Sequence, residues 1–126
     1  MSRALKTSGF LALSIQMLWG MYNTFVISPM GPGMTESFQT LVGAHAHFGV
    51  LGILAVALGF AVDHYRLDGT RRTIVTWAYI AGQWLLPATI VAIAMGYEMV
   101  AITAYLWGLL LFVSMAIMAW TAATQA

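Results

Sequence analysis

Four long apolar runs, residues 9–27, 38–62, 73–95 and 99–123, are separated along the chain by three short polar breaks. Each run is long enough, at helical rise, to cross a hydrocarbon core of about 30 Å. The first carries Gln16 and Asn23 together with Trp19 and Tyr22. It ends at Ser28-Pro29-Met30-Gly31-Pro32-Gly33, a helix-breaking segment that holds all but one of the prolines. Thr35 or Ser37 is placed to cap the second helix. The second break, Asp63 to Arg72, is the most charged part of the chain, and the third is only Gly96-Tyr97-Glu98. Pro87 interrupts the third run, where it removes one helical hydrogen bond beside Gln83. The pattern predicts an all-α, integral membrane, antiparallel four-helix bundle. Residues 1–126 then form one transmembrane domain.

Composition excludes the soluble alternative for a chain of this length. Hydrophobic residues make up 61% of the 126 and charged residues only 7%, with a mean hydropathy of +0.85, far from the charge a water-exposed surface needs. The net charge of +1 and the lack of a basic face argue for no nucleic-acid partner. Absence of cysteine removes disulfides, thiolate chemistry, iron–sulfur clusters and covalent haem attachment. Arg3 and Lys6 precede the first apolar run, but that run is too long for a signal-peptide core and ends without a small-residue cleavage site. It reads as the first membrane helix. All five basic residues, Arg3, Lys6, Arg66, Arg71 and Arg72, fall at the N-terminus or in the second break. The expected placement is therefore a cell (inner or plasma) membrane, multi-pass, with both termini cytoplasmic.

Chemistry concentrates at Gly43-Ala44-His45-Ala46-His47-Phe48-Gly49-Val50-Leu51-Gly52. An imidazole inside hydrocarbon is costly and marks a site by default. On a helix, His45 shares a stripe with Gly49, Gly52, Val56 and Gly59. His47 lies about 200° away, with Leu51, Leu54 and Leu58. One helix cannot aim both at one metal. His64 belongs to the charged break, where water solvates it. Depth along the helices places His45 roughly 10 Å below the outer boundary. Asn23, Trp19, Trp84, Thr89, Tyr105 and Trp107 fall in the same half, so Asn23, Gln83, Trp84, Thr89 and Tyr105 are candidates to line a pocket.

Three histidines, no cysteine and no carboxylate inside the spans make a protein-only zinc cage a poor fit. Haem b needs one or two axial ligands and gains the rest of its binding from apolar contact, and glycines let a helix approach a flat macrocycle closely. The expected assignment is His45 as axial ligand, with Gly49 and Gly52 against the ring and His47 as second candidate. The competing reading is that the glycines seat a neighbouring helix and that His45 is satisfied inside the bundle. A cofactor on so small a bundle favours a homo-oligomer with haem near the subunit interface.

The layout resembles the styrene oxide isomerase family of small haem b membrane proteins. The likeness rests on the Arg/Lys-led first helix, the Pro/Gly-rich outer loop, Ala44-His45 opening the second helix, Gly52 seven residues on, and the Gly82-containing third helix. The resemblance implies that His45 binds the iron of haem b between the protomers of a homotrimer. Ferric haem would then act as a Lewis acid on a small lipophilic epoxide, giving a carbonyl product by a Meinwald-type rearrangement. Where that family holds substrate with Asn and Tyr, this chain has Leu51 and a residue near Ala88 or Thr89. The Ala-His-Ala-His opening also resembles, more weakly, the low-spin haem helix of haem-copper oxidases and nitric oxide reductases. That likeness implies a haem b electron carrier; a non-catalytic membrane subunit or quinone-binding protein is the remaining alternative.

Overall fold

The computed structural model describes residues 2–30 and 35–125. Its helices are α1 (Arg3–Met30), α2 (Glu36–His64), α3 (Gly69–Ala94) and α4 (Thr103–Thr124), with a 3-10 turn at Glu98–Ile102 leading into α4. There is no strand among the described residues. The helices run antiparallel in sequence order: Lys6 meets Gly59 and Gln16 meets Gly49, Leu51 meets Tyr79 and Phe48 meets Trp84, and Gly82 meets Leu111 while Thr89 meets Trp107. The all-α four-helix bundle is as the apolar pattern predicts.

Boundaries differ from the runs in instructive ways. Thr35 does cap α2, its hydroxyl oxygen accepting from the Phe38 N–H at 3.3 Å. The Pro/Gly-rich break overlaps residues 31–34, which lie outside the described residues. Helix α3 begins at Gly69, four residues before its apolar run, so Arg71 and Arg72 are helical rather than part of the turn. The turn before it is closed by Leu67 N–H donating to the Val62 carbonyl at 3.0 Å, with Arg66 at φ +48°. Gly96, at φ +95°, reverses the chain between α3 and the last helix. So short a link tightens the return into 3-10 geometry, which replaces α-helix over most of the first turn expected for the fourth run.

Three segments, Glu36–His64, Gly69–Ala94 and Glu98–Thr124, are long and apolar enough to cross a membrane. Helix α1 has comparable length and carries Ser8, Ser14, Gln16, Asn23 and Thr24 along it. Ser8 faces α3 and Gln16 faces α2, while Ser14 and Thr24 donate to carbonyls of α1 itself. Large apolar side chains cover the outside: Phe10, Met17, Phe25, Ile53, Phe60, Trp77 and Phe112 are all exposed. Water does not favour such a surface, whereas acyl chains do.

The core sits at the end of the bundle that carries the basic residues. Leu5, Ala55, Leu58, Val62, Leu67, Val75, Tyr79 and Met118 bury one another there. Tyr79 reaches across from α3 to donate its hydroxyl to the Leu51 carbonyl at 3.1 Å. Lys6 and Asp63 form an ion pair at 2.8 Å, and the Ser2 N–H donates to the same carboxylate at 2.7 Å. Lys6 also lies over the Phe60 ring. This clasp fixes the start of α1 to the end of α2. Replacing Asp63 by Asn is expected to lower stability by roughly 0.5–1 kcal/mol, read as a lower midpoint in a detergent unfolding titration.

Helix α1 lies against α2, and α3 meets α1, α2 and α4. Helix α4 packs on α3 and leaves an open groove of about 330 Å³ against α2, lined by Leu54, Leu58 and Ala61 on one side and Met115, Met118 and Ala119 on the other. The bundle is therefore open along one face of α2.

Candidate functional site

The glycine stripe of α2 meets α1. A Cβ on Gly52 would lie 3.3 Å from the Gly9 carbonyl oxygen, and one on Gly59 would lie 2.7 Å from the Lys6 side chain. A Cβ on Gly49 would sit 3.0 Å from the Gln16 amide. The contact is reciprocal, since a Cβ on Gly9 would come within 2.6 Å of the Gly52 carbonyl oxygen. Small residues have let two backbones touch, which is what such stripes do between membrane helices.

His45 belongs to the same seam. Its Nε2 lies 3.1 Å from the Gln16 backbone carbonyl and 3.0 Å from the Gln16 side-chain amide nitrogen. Protonated at Nε2, it donates to the carbonyl; unprotonated there, it accepts from the amide. Either tautomer is satisfied by α1. Gly20 makes room for the ring, because a Cβ there would lie 3.1 Å from Nε2. Trp19 closes the other side edge-on, its ring centre 5.9 Å from the imidazole. A macrocycle on Gly49 and Gly52, with His45 at its iron, would have to displace α1 from this face. The donor set at His45 therefore does not fit haem in the single chain.

His47 is placed differently. It stands exposed on the opposite side of α2, with Nδ1–H donating to the Gly43 carbonyl at 2.9 Å. That bond sets the tautomer and leaves the Nε2 lone pair turned away from its own helix. A backbone carbonyl on Nδ1 is the usual support for a histidine that ligates metal through Nε2. Around it, Ala46, Val50 and Leu51 line a shallow apolar cavity of about 240 Å³. Gly43 adds flatness, for a Cβ there would meet nothing within 4 Å. The chemistry at this face fits one axial ligand on an apolar, nearly flat surface.

The remaining candidates do not converge on either histidine. Gln83 is fully buried, its Oε1 accepting from the Ser8 hydroxyl at 2.9 Å and its amide donating to the Ser8 carbonyl at 3.3 Å. Trp84 donates its indole N–H to the Ser8 hydroxyl oxygen at 2.8 Å. Those two therefore dock α1 on α3. Thr89 accepts from the Trp107 indole at 3.0 Å and lies 3.3 Å from the Thr103 hydroxyl, stitching α3 to α4. Asn23 is buried on α1, whereas Tyr105 is 79% exposed. A separate cavity of about 190 Å³ lies between Trp19, Phe48, Trp84 and Pro87, with wholly apolar walls. Phe48 links its two tryptophans, 6.5 Å from Trp19 and 5.0 Å from Trp84 by ring centres. His64 packs edge-on against Tyr65. No group of three or more metal-ligating side chains comes together among the described residues.

Sequence reasoning passed over Ser8, which holds both Gln83 and Trp84. The available signal was a fully apolar helix-three environment around Gln83 that needed a partner. Gln16 was visible as a polar residue in the first run, but its pairing with His45 depends on how α1 sits against α2. No curated protein and no solved structure matches the chain. A family model described as Domain of unknown function (DUF8059) matches residues 1–126, and the chain belongs to that family.

Proposed function

We propose that the protein is a multi-pass membrane protein that binds haem b on the open face of α2, with His47 as the axial ligand. The observation that carries this is the His47 arrangement: Nδ1 held by the Gly43 carbonyl and Nε2 turned outward over Ala46, Val50 and Leu51. In this reading α1 crosses the membrane with the other three helices, with Ser8 and Gln16 turned to its neighbours and the Ser14 and Thr24 hydroxyls satisfied by carbonyls of α1. Both termini and the Arg66–Arg72 segment are cytoplasmic, and the membrane is the cell membrane.

His47 would hold the iron, Gly43 would keep the imidazole in the right tautomer, and the apolar face would bury the macrocycle. Bound there, haem b supplies either one-electron transfer or Lewis-acid polarisation of an oxygen atom. Electron transfer is the better match, because Ala46, Val50 and Leu51 offer no polar group to orient a substrate. Isomerisation of an epoxide would need such a group near the iron. One side of a flat ligand on this face stays uncovered within a single chain, so a second copy is expected to cover it, and the trimer of the isomerase resemblance is one arrangement that does so.

Titrating haem-free protein in detergent with haemin, followed by Soret absorbance, should saturate with a sharp band near one haem per chain. Featureless, non-saturating absorbance would refute the reading. A Soret shift on adding an epoxide would overturn electron transfer in favour of the isomerase. Because the chain has no cysteine, Val50→Cys gives a clean probe of self-association. In membranes it should be joined into a dimer by a bis-maleimide linker long enough to span a ligand held between two copies, while Phe25→Cys, on the outside of α1, should not.

A further inference from the structure

We propose that the groove between α2 and α4 is a binding site for a lipid-soluble quinone, a neutral ring bearing carbonyl oxygens on an apolar tail. This rests on the membrane placement and is independent of haem at His47, which lies nearer the other end of α2. The groove encloses about 330 Å³. Its floor is firm, because Leu58 and Met118 are buried members of the core cluster. Its walls stand apart, since α4 packs on α3 and the side chains facing across from α2 and α4 include Ala57, Ala61, Ala119 and Ala122. Four alanines leave space for a flat ring where larger side chains would close the gap.

The lining is ordered along its length. Tyr65 is the only lining residue whose side chain carries an oxygen or nitrogen, and it stands at the end of α2. Its backbone N–H donates to the Ala61 carbonyl at 2.9 Å, and its ring packs edge-on against His64 with centres 5.0 Å apart. The phenol is therefore held in place at one end of the groove. From Tyr65 back to Leu54, α2 rises by about 16 Å, with hydrocarbon lining along that distance. A hydroxyl donor at one end and apolar walls along the rest match a carbonyl head on an apolar tail.

Charge distinguishes a quinone from the other lipids of a bilayer. No charged residue lines the groove. A fatty acid or a phospholipid would bring an ionised head with no counter-charge among the lining residues, and desolvating it is costly. A quinone carries no charge and needs only a donor for its oxygen. Leu54 and Met115, at the end away from Tyr65, are exposed on the outside of the bundle, so a ligand dissolved among acyl chains can enter sideways. Tyr65 itself precedes Arg66 in the basic break, the level at which an amphipathic ring sits at the membrane boundary.

Haem-free protein in phosphatidylcholine nanodiscs, titrated with decylubiquinone, tests this. Quinone retained above empty nanodiscs is measured by absorbance after solvent extraction. The wild type should saturate at about one quinone per chain, and decylbenzene, which has the tail but no carbonyl, should not compete. Tyr65→Phe should weaken retention by roughly three- to tenfold. Ala119→Phe, which fills the groove from an exposed position, should abolish it. Ala116→Phe, exposed on α4 but outside the groove lining, should bind as the wild type does. Non-saturating retention by the wild type would overturn the proposal, as would decylbenzene competing as well as the quinone, which makes the groove a plain hydrocarbon slot. Equal loss in Ala116→Phe, or unchanged binding in both Tyr65→Phe and Ala119→Phe, would also overturn it. Displacement by stoichiometric palmitate would replace the neutral head with an anionic one. Haemin binding is read in a separate titration, so neither result decides the other.

Discussion

His47→Ala is expected to lower haem content by on the order of tenfold or more, while His45→Ala leaves it close to wild type. The difference follows from what each imidazole already touches. His45 Nε2 lies within 3.1 Å of two Gln16 groups and is walled by Gly20 and Trp19. His47 has its Nδ1 engaged at Gly43 and its Nε2 facing outward. If His47 holds the iron, as proposed, its loss would leave only apolar contact for the macrocycle, and lesser losses of support already cost about 10–100-fold at metal sites. His45→Ala should instead loosen the α1–α2 seam. It removes a partner from the Gln16 amide inside the bundle, at a cost of about 1–3 kcal/mol. Measuring haem-to-protein ratio and unfolding midpoint on both variants separates the two roles. Haem loss confined to His45→Ala would move the iron to the other side of α2 and would require α1 to shift.

The second large effect is expected at Gly9. A Cβ there would lie 2.6 Å from both the Gly52 carbonyl oxygen and the Val56 side chain, and 2.9 Å from the Val56 nitrogen. Backbone on one side leaves little room to yield, so α1 and α2 must separate. Gly9→Ala should destabilise by about 1–3 kcal/mol, and Gly9→Leu by more. Gly108→Ala is the matched control, since a Cβ at that position meets nothing within 4 Å. It should be neutral or slightly stabilising through helix propensity. Unfolding titrations that rank the two alanine variants the other way would contradict the close approach of α1 and α2.

Sequence suffices for part of this geometry and not for the rest. Apolar run length determined the number and order of helices, because hydrophobic periodicity and breaks act locally. It also separated the His45 and His47 faces, which helical geometry alone requires. What periodicity does not carry is the identity of the partner against each face. Gly49, Gly52 and Gly59 suit a flat ring and a helix backbone equally well, and only the position of α1 decides that the backbone is there. The same holds for Ser8 with Gln83, separated by 75 positions along the chain. Depth put Trp84, Thr89 and Tyr105 at the level of the histidines, but level is not direction: Trp84 turns to Ser8, Thr89 to Trp107, and Tyr105 outward. On α1, Ser8 and Gln16 dock against α3 and α2, whereas Ser14 and Thr24 bond back to their own helix.

The proposed haem b on the open face of α2 has a direct optical signature. The most direct measurement is the absorption spectrum of the protein as extracted from membranes, oxidised and then reduced with dithionite. A Soret band that shifts on reduction and sharpens into visible bands of b-type haem is the predicted result. A protein that is folded, helical and free of any Soret absorbance, even when produced with excess haem available, would contradict it.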